Sequence, residues 1–390
     1  MTDYFEKSLI MHQQLRGKIG IHNKMPIGSR DDLSLAYTPG VARPCEVISD
    51  NPEEAYKLTL KGNSVAVISD GSAVLGLGNI GPLAALPVME GKALLFREFA
   101  KIDAWPICLD TNDPIKIIET CRIIAPSFGG INLEDISAPR CFEIEEALQG
   151  LGIPVFHDDQ HGTAIVLLAG LINSAKVVDK KISALRVVIN GAGAAGTAIA
   201  KLIAGVGIGK SSINPVADVL ICDSRGIISK DRRDLNPEKT SLLEFSNKGE
   251  VKGSLQDALH DADVFIGVSR GNLLNADDIS VMAENPIIFG MANPVPEIMP
   301  EEAAKGGAAV VGTGRSDFPN QVNNVLVFPG IFRGALDARA SAITPEMKVA
   351  AALALANIVE MPNAKMILPH PLDRTVAPEI AKHVRAAARQ

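Results

Sequence analysis

A regular alternation of short apolar runs with longer helix-like segments is the feature that most constrains this fold. The first run, Ser64–Ile68, leads into Asp70-Gly71, as a buried strand does where it enters a loop. Strand-like and helix-like segments then alternate up to Phe156 and again from Leu185. This order predicts an α/β protein with open, largely parallel sheets and helices on their faces. The predicted strands are 64–68, 104–109, 130–133, 154–156, 185–190, 218–222, 262–268 and 286–289.

Helical periodicity fills the segments between these strands. Pro87 is a candidate break in the first helix, because proline lacks the N–H that the helix interior needs. The segment 162–177 is the longest of them after the first, and we expect it to bridge two domains. The predicted helices are 82–101, 115–124, 139–148, 162–177 and 197–204, with a helical C-terminal segment from Thr344 onwards.

Acidic residues follow four of the predicted strands. The carboxyl ends of parallel strands meet at one edge of a sheet, so these side chains should gather there. A single loop acid is most often only solvated, but doublets directly after two successive strands favour a cation site. Carboxylate oxygens suit Mg²⁺ or Mn²⁺. The acids are Asp70, Asp110, the doublet Glu134-Asp135 and the doublet Asp158-Asp159.

A glycine-rich turn opens the second half of the alternation. The strand 185–190 runs straight into Gly191-Ala-Gly193-Ala-Ala-Gly196 and then into a helix. In that context GxGxxG predicts a dinucleotide site, since the glycines let the backbone approach a pyrophosphate at the helix N-terminus. Asp223 ends the next strand, where an acid accepts the ribose 2′-OH of NAD. Three arginines follow that could instead meet the 2′-phosphate of NADP: Arg225, Arg232 and Arg233.

Composition excludes several classes of protein. Lys and Arg total 38 against 45 Asp and Glu, a net charge of −7, which argues against nucleic acid as the partner. No apolar stretch is long enough to span a bilayer, and the first residues lack a signal-peptide pattern, so a cytoplasmic protein without membrane partners is expected. The five cysteines form no CxxC pair, which disfavours a disulfide scaffold or a structural zinc site.

A dinucleotide domain beside a cation site indicates hydride transfer with Lewis-acid help. A divalent ion can hold a 2-hydroxy acid and then stabilise the enolate left when a β-keto acid loses CO₂. Such a reaction needs a base for the hydroxyl proton. Lys92 is a candidate, because it lies in an otherwise apolar helix where desolvation would lower its pKa. A lone lysine in such a helix can equally be a surface residue.

Five motifs, in order along nearly the whole chain, resemble malic enzyme, and its short prokaryotic branch in particular. The resemblance implies a divalent-metal-dependent oxidative decarboxylation of (S)-malate to pyruvate and CO₂, with NAD⁺ or NADP⁺ as oxidant and Mg²⁺ or Mn²⁺ as the metal. It also implies a homodimer or a higher homo-oligomer whose active site a neighbouring subunit can complete. The motifs lie at Ser34–Val41, Val88–Ala93, Ile131–Ile136, Val155–Thr163 and Gln321–Gly330.

The resemblance also implies roles for individual residues. Tyr37 corresponds to the general acid that protonates the enolate carbon, Lys92 to the general base, and Asp158 to the acid that hydrogen-bonds the lysine. Glu134, Asp135 and Asp159 correspond to the metal ligands. The implied cofactor contacts are Gly191, Gly193, Ala194, Ala195, Gly196, Asp223, Arg225 and Asn293, and the implied substrate contacts are Asn293, Asn323 and Asn324.

One position departs from the family pattern. Larger members carry an arginine that grips a malate carboxylate just before a Leu-Gly-Leu-Gly stretch, and here that position is Ala73. Another cation or the asparagines must bind that carboxylate, or the substrate preference differs.

Two histidines near the second acidic doublet raise a separate question. His157 and His161 are four residues apart, but their flanks do not form HExxH. Hydrogen bonding behind the site is therefore favoured over catalytic zinc.

Sequence leaves the cofactor and some rival functions open. The charge of Asp223 favours NAD⁺, whereas the nearby arginines favour NADP⁺. On the charge argument we expect NAD⁺ rather than NADP⁺. A malolactic-type lyase would use the same parts to make lactate. A catalytically silent nucleotide-binding module and an amino-acid dehydrogenase are further alternatives, although the first should have lost catalytic groups and the second needs no acidic cluster.

Three regions follow from these patterns. Residues 1–160 are expected to form an α/β domain for substrate and metal. Residues 161–340 are expected to form a Rossmann-like dinucleotide domain with a doubly wound parallel sheet, and residues 341–390 a helical segment that packs back on the core.

Overall fold

The computed structural model of the chain describes residues 4–74, 76–209 and 214–389. The first part of the chain forms short helices around extended segments, and no residue from 4 to 63 is buried. A capping box starts the second helix, where the Asp32 N–H donates to Ser29 Oγ (3.0 Å). These helices are α1 (Tyr4–Leu15), α2 (Arg30–Ala36), α3 (Ala42–Asp50) and α4 (Ala55–Leu58).

The first sheet has four parallel strands in the order β2-β1-β3-β4. Every residue of β1 is buried, as expected for a parallel strand covered on both faces. The strands are β1 (Ser64–Ser69), β2 (Asp103–Cys108), β3 (Gly130–Leu133) and β4 (Val155–His157), and the connecting helices are α5 (Gly81–Ala100), α6 (Pro114–Ile124) and α7 (Arg140–Leu148).

Helix α5 is continuous, so a break at Pro87 is not found. Pro87 lies on the exposed side of the helix, where water can hydrate the carbonyl left without a donor. The buried side of α5 carries Met89, Lys92 and Phe96. Helix geometry therefore directs the candidate base into the protein.

Helix α8 (Asp158–Val177) begins directly after β4 and is buried along most of its length. The second sheet then follows in the order β10-β9-β8-β5-β6-β7, parallel except for the antiparallel edge strand β7. Its strands are β5 (Arg186–Asn190), β6 (Asp218–Asp223), β7 (Gly226–Ile227), β8 (Val264–Gly267), β9 (Ile287–Gly290) and β10 (Val310–Thr313). The helices between them are α9 (Ala194–Ile203), α10 (Pro237–Leu242), α11 (Leu255–Leu259), α12 (Ala276–Ser280) and α13 (Pro300–Lys305).

The predicted α/β class and the Rossmann-like doubly wound sheet are confirmed. Strand β10 was not predicted from the sequence, because its apolar run is only four residues long and lies beside glycines. The C-terminal segment is two helices, α15 (Pro345–Ile358) and α16 (Val376–Ala387), that pack with α14 (Phe328–Ala338). Helix α15 also packs on α8, and α16 also contacts α5.

A group of phenylalanines joins the helices behind the lysine. Phe96 packs edge-on against Phe328 and Phe332, with ring centroids 4.7 and 5.3 Å apart, and Phe156 packs on Phe332. Such edge-to-face pairs add about 0.5–1.5 kcal/mol each to the burial energy. This cluster fixes α5 against α14.

Among the described residues, no helix combines the length and the apolar character that crossing a bilayer requires.

Candidate active site

The three predicted metal ligands lie together at the carboxyl edge of the first sheet. One carboxylate oxygen from each of Glu134, Asp135 and Asp159 falls within 4.8 Å of the others. Glu134 and Asp135 follow β3 directly, and Asp159 lies in the first turn of α8 after β4. Parallel pairing of β3 with β4 brings the two strand ends side by side.

Local backbone geometry supports this cluster. Asp135 has a left-handed backbone conformation (φ 54°), which is uncommon for a non-glycine residue and concentrates at functional sites. Its N–H donates to Asp159 Oδ2 (2.8 Å), and its carbonyl accepts from the Ala73 N–H (2.9 Å). The Asn132 amide donates to Glu134 Oε2 (2.9 Å). Hydrogen bonds from neighbouring groups therefore hold these acids in place.

The electrostatics of the cluster fit a hard divalent cation. Burial, followed by the charges of Asp159 and Glu134, raises the pKa of Asp135 to about 9. Burial also raises the pKa of Asp159 to about 6, against the opposing effect of Lys92. Asp135 Oδ2 is buried and has no hydrogen-bond partner among the described residues. Crowded carboxylate oxygens with too few donors are a suitable ligand set for Mg²⁺ or Mn²⁺.

Lys92 lies against this cluster from α5. Its ammonium contacts Asp158 Oδ2 (2.5 Å) and Glu134 Oε1 (2.8 Å), and it sits 4.0 Å from the ring centre of Phe328. Only 7% of the side chain is exposed. The Asn324 amide donates to the same Asp158 oxygen. The structure therefore brings together the predicted base, its acidic partner and one predicted substrate contact.

The expectation that desolvation lowers the pKa of Lys92 is wrong for this arrangement. Burial does favour the neutral amine, but the adjacent carboxylates of Asp158 and Glu134 outweigh it, so the pKa is raised. The apolar sequence around Lys92 carries no information about Asp158 and Glu134, which approach it from other parts of the fold.

The glycine-rich turn lies between β5 and α9, as predicted. Gly191 has a φ of 127°, and a Cβ on Gly196 would collide with the Gly191 carbonyl oxygen. The predicted contacts Ala194 and Ala195 form the first turn of α9. A cavity of about 1090 Å³ opens beside the turn and is also lined by Asp223, Arg225 and other residues of the carboxyl edge. This is the crevice in which sheets of this type bind dinucleotides.

Asp223 lies in that cavity with both of its carboxylate oxygens occupied. Arg232 pairs with them through both terminal nitrogens (2.8 and 3.0 Å), and Lys239 contacts Oδ2 at 2.6 Å. Burial raises the pKa of Asp223, but these donors outweigh it and lower the pKa to about 2. Arg225 donates its backbone N–H to Asp223 (2.9 Å), while its side chain is largely exposed beside Asp234.

Among the described residues, no hydrogen bond joins Tyr37, Asn293 or Asn323 to Lys92 or Asp158. Tyr37 follows α2, its side chain is 67% exposed, and its hydroxyl has no hydrogen-bond partner among the described residues. Asn293 is exposed in the loop after β9, and its carbonyl faces Gly76. Asn323 Oδ1 accepts from the Val325 N–H (2.9 Å). The structure thus gathers Asn324 into the cluster but leaves Tyr37 outside it.

Sequence reasoning missed several residues that shape the site. Phe328 stacks on Lys92, Lys239 neutralises Asp223, and Glu145 bonds to His161 behind the acidic cluster (2.9 Å). Phe328 lies in the same Gln321–Gly330 motif as Asn323 and Asn324, so the sequence did contain a signal for it. Lys239 and Glu145 carried none, because they reach the site through tertiary contacts.

A Rossmann-type cleft in the same chain as a buried lysine and an acidic cluster is typical of a dinucleotide-dependent oxidoreductase. Family models agree with both halves of it. The model "Malic enzyme, N-terminal domain" matches residues 16–115, and "Malic enzyme, NAD binding domain" matches residues 160–389. The chain belongs to the malic enzyme family.

Individual relatives cover almost the whole chain. The bifunctional malic/malolactic enzyme of Bacillus subtilis (strain 168) is 55% identical over 98% of this chain and 92% of its own length. The NAD-dependent malic enzyme of Geobacillus stearothermophilus is 53% identical over 98% and 78%. The crystal structure of NAD-dependent malic enzyme from Thermotoga maritima matches with a TM-score of 0.93 and 46% identity over 99% of each chain.

Proposed function

We propose that this chain catalyses the oxidative decarboxylation of (S)-malate to pyruvate and CO₂, with NAD⁺ or NADP⁺ as hydride acceptor. The observation that carries the proposal is the contact of Lys92 with both Asp158 and Glu134, beside the acids Asp135 and Asp159. This contact supports a base at Lys92 next to a cation site. The family of the chain and its dinucleotide cleft agree with this activity.

Lys92 acts as the base that takes the C2 hydroxyl proton while hydride leaves C2 for the nicotinamide. In the ion pair the amine is protonated, because two carboxylates face it. Glu134 is shared between Lys92 and the cation site, so a ligand that engages Glu134 removes one of the charges that keep Lys92 protonated. Asp158 keeps its contact and orients the amine.

Glu134, Asp135 and Asp159 would hold Mg²⁺ or Mn²⁺, which supplies polarisation of the C2 oxygen and stabilisation of the enolate. The dinucleotide would lie in the cleft beside Gly191, with Gly193 at the start of α9 facing its phosphates. The amide groups of Asn293, Asn323 and Asn324 would bind substrate, and they take over the carboxylate contact that Ala73 cannot make.

We further propose a homodimer in which Tyr37 protonates the enolate in the partner's site. The described residues 4–63 include no buried one and expose many large apolar side chains, among them Leu15, Ile21 and Leu35. An apolar surface of this extent marks a protein interface. In a twofold dimer each chain lends the same segment to the other.

Asp223 does not reserve the cleft for NAD⁺ in this proposal. Its charge is neutralised by Arg232 and Lys239, so it repels a 2′-phosphate only weakly. Arg225 and Lys239 line the same cavity and can face that phosphate. We therefore propose that the site accepts both NAD⁺ and NADP⁺.

Two expectations remain predictions. A domain boundary at 160/161 is supported by the two separate sheets and by the start of one family model at residue 160. That model extends to residue 389, which favours grouping the segment 341–390 with the dinucleotide domain. The cytoplasmic location expected from the sequence also stays a prediction.

The test is a steady-state assay with malate, Mn²⁺ and each nicotinamide in turn. We expect reduced cofactor at 340 nm and an equal amount of pyruvate with both nucleotides. The activity should disappear in EDTA and return when Mn²⁺ is added. Absence of pyruvate with both nucleotides would contradict the proposed reaction.

The bifunctional relative favours one second candidate, a malolactic activity. In that reaction the hydride returns to the three-carbon product, so malate becomes lactate and CO₂ without net reduction of cofactor. Product analysis by NMR, with malate in large excess over NAD⁺, separates the two. Lactate in excess of total NAD⁺ supports the second activity, and pyruvate alone excludes it.

Mixing two inactive variants tests the shared site. If Tyr37 serves the partner, a mixed dimer of Lys92→Ala and Tyr37→Phe chains contains one intact site. Random mixing then restores about a quarter of wild-type activity, since half of the dimers are mixed and each has one of two sites intact. If each chain uses its own Tyr37, no mixed dimer has an intact site and no activity returns.

A further inference from the structure

A buried glutamate contacts the backbone N–H of His157 and the imidazole of His161, two residues that the site chemistry does not use. Glu145 lies on α7 and is 8% exposed. Its carboxylate accepts hydrogen bonds from the His157 N–H (3.3 Å) and from Gln160 Nε2 (3.1 Å), and it bonds to His161 Nε2 (2.9 Å). All three partners belong to one short stretch that surrounds Asp158 and Asp159.

This stretch needs support from outside itself. Helix α8 begins at Asp158, and its N-cap residue His157 makes no side-chain cap hydrogen bond. An uncapped first turn frays readily, because its N–H groups lack partners within the helix. Yet this turn carries Asp158 toward Lys92 (2.5 Å) and Asp159 toward the Asp135 N–H (2.8 Å).

The surroundings of Glu145 keep it in the ionised form that accepts these bonds. Burial raises the pKa of Glu145, but His161 and then Lys348 on α15 outweigh it and lower the pKa to about 2. His161 is held in turn by the ring of Phe156, whose centre lies 5.5 Å away. Three elements, α7, β4 and α8, therefore meet at one carboxylate.

We propose that Glu145 is a positioning residue, which fixes the first turn of α8 so that Asp158 reaches Lys92 and Asp159 reaches the cation site. The proposal rests on the proposed function, since it takes Asp159 to be a metal ligand. It assigns the imidazole of His161 and the backbone N–H of His157 to the support of that turn. Groups that orient metal ligands from behind typically change metal affinity 10–100-fold when removed.

The experiment measures Mn²⁺ affinity without substrate, by electron paramagnetic resonance of free Mn²⁺, in wild type, Glu145→Ala and the control Glu146→Ala. Glu146 is the next residue on α7 and is exposed. We expect about 10–100-fold weaker Mn²⁺ binding in Glu145→Ala alone, with NAD⁺ affinity by calorimetry within twofold of wild type. Unchanged NAD⁺ binding shows that the variant is folded.

A purely structural role for Glu145 would lower the melting temperature and leave Mn²⁺ affinity unchanged, which overturns the proposal. If Glu145→Ala does not fold, Glu145→Gln decides. Its amide must face one of the three donors, so at least threefold weaker Mn²⁺ binding is expected, and wild-type affinity overturns the proposal. If wild type itself binds no Mn²⁺, the proposed metal site fails and the role of Glu145 fails with it.

Discussion

Carboxylates end strands in both sheets, and the two sheets surround them in opposite ways. At the edge of the first sheet, Glu134, Asp135 and Asp159 lie together, and in the described part of the chain one lysine, Lys92, pairs with Glu134. At the edge of the second, Asp223 alone is held by two cations and by a backbone N–H. Burial and repulsion raise the pKa of Asp135, whereas the paired cations lower that of Asp223.

The difference separates a site that needs an outside partner from one that is already satisfied. Buried carboxylates without enough donors cost free energy unless a cation joins them. The first cluster therefore has the electrostatics of a cation site. Both carboxylate oxygens of Asp223 are already paired within the chain, with Arg232 and Lys239, and Lys239 also lines the cofactor cleft. Position at a strand end alone does not distinguish these roles.

The largest effect should come from removing the lysine that balances the first cluster. Lys92→Ala should lower kcat at least about 1000-fold, because it removes both the general base and the partner of Asp158. NAD⁺ affinity measured by calorimetry should stay within twofold. Lys116→Ala, an exposed lysine on α6, is the control. Activity near wild type in Lys92→Ala would exclude Lys92 as the base.

Next in size is the loss of one acid from the first cluster. Asp159→Asn should weaken Mn²⁺ binding by at least about 100-fold, since direct ligands contribute more than the groups behind them. Asp110→Asn, at the end of β2 and outside the cluster, should leave it unchanged. Equal Mn²⁺ affinity in wild type and Asp159→Asn by calorimetry would place the cation elsewhere.

A smaller effect should follow when Asp223 loses one of its two cationic partners. Lys239→Ala removes one of its two cations, so Asp223 should repel a 2′-phosphate more strongly and accept the ribose 2′-OH more readily. We expect the ratio of kcat/KM for NADP⁺ to that for NAD⁺ to fall about tenfold, or about 1.4 kcal/mol. Lys230→Ala, whose exposed partner is Glu250, is the matched control. An unchanged ratio would show that Lys239 does not face the cofactor.

The smallest effect concerns stability and pH. The pKa of Asp223 is about 2 in the folded chain, below the ordinary value, so its contribution to stability is complete above the ordinary pKa and disappears as pH falls through about 2. Asp223→Asn should cost about 1 kcal/mol in urea unfolding at pH 6, and this difference should shrink toward pH 3. Asp231→Asn, which breaks an exposed pair, should change little at either pH. A difference that grows on acidification would contradict the assignment.

Sequence predicted whatever depends on strand order and local motifs. Glu134, Asp135 and Asp159 meet because β3 and β4 are parallel neighbours, and the Gly191 turn depends on residues adjacent in the chain. Lys92 points inward because its spacing from Met89 and Phe96 puts it on the buried side of α5, although Pro87 left the continuity of that helix in doubt.

What sequence did not predict depends on contacts between distant segments. Asp158 accepts a hydrogen bond from the Asn324 amide, which lies far along the chain. Asp223 pairs with Lys239, which lies on α10. The contacts of Lys92 with Asp158 and Glu134 reversed the expected direction for its pKa. The contacts of Asp223 with Arg232 and Lys239 weakened the charge argument for NAD⁺. Tyr37 shows a further limit, because its exposed position within one chain cannot be read from the motif that contains it.

No residue between positions 4 and 63 is buried within the chain, and this affects both the activity of the protein on dilution and its sensitivity to proteases. In the proposed homodimer this segment packs against the second chain, so its order depends on protein concentration through mass action. Dilution should therefore reduce specific activity before the core unfolds. Proteases should likewise cut first in this segment and leave a folded remainder that has lost Tyr37.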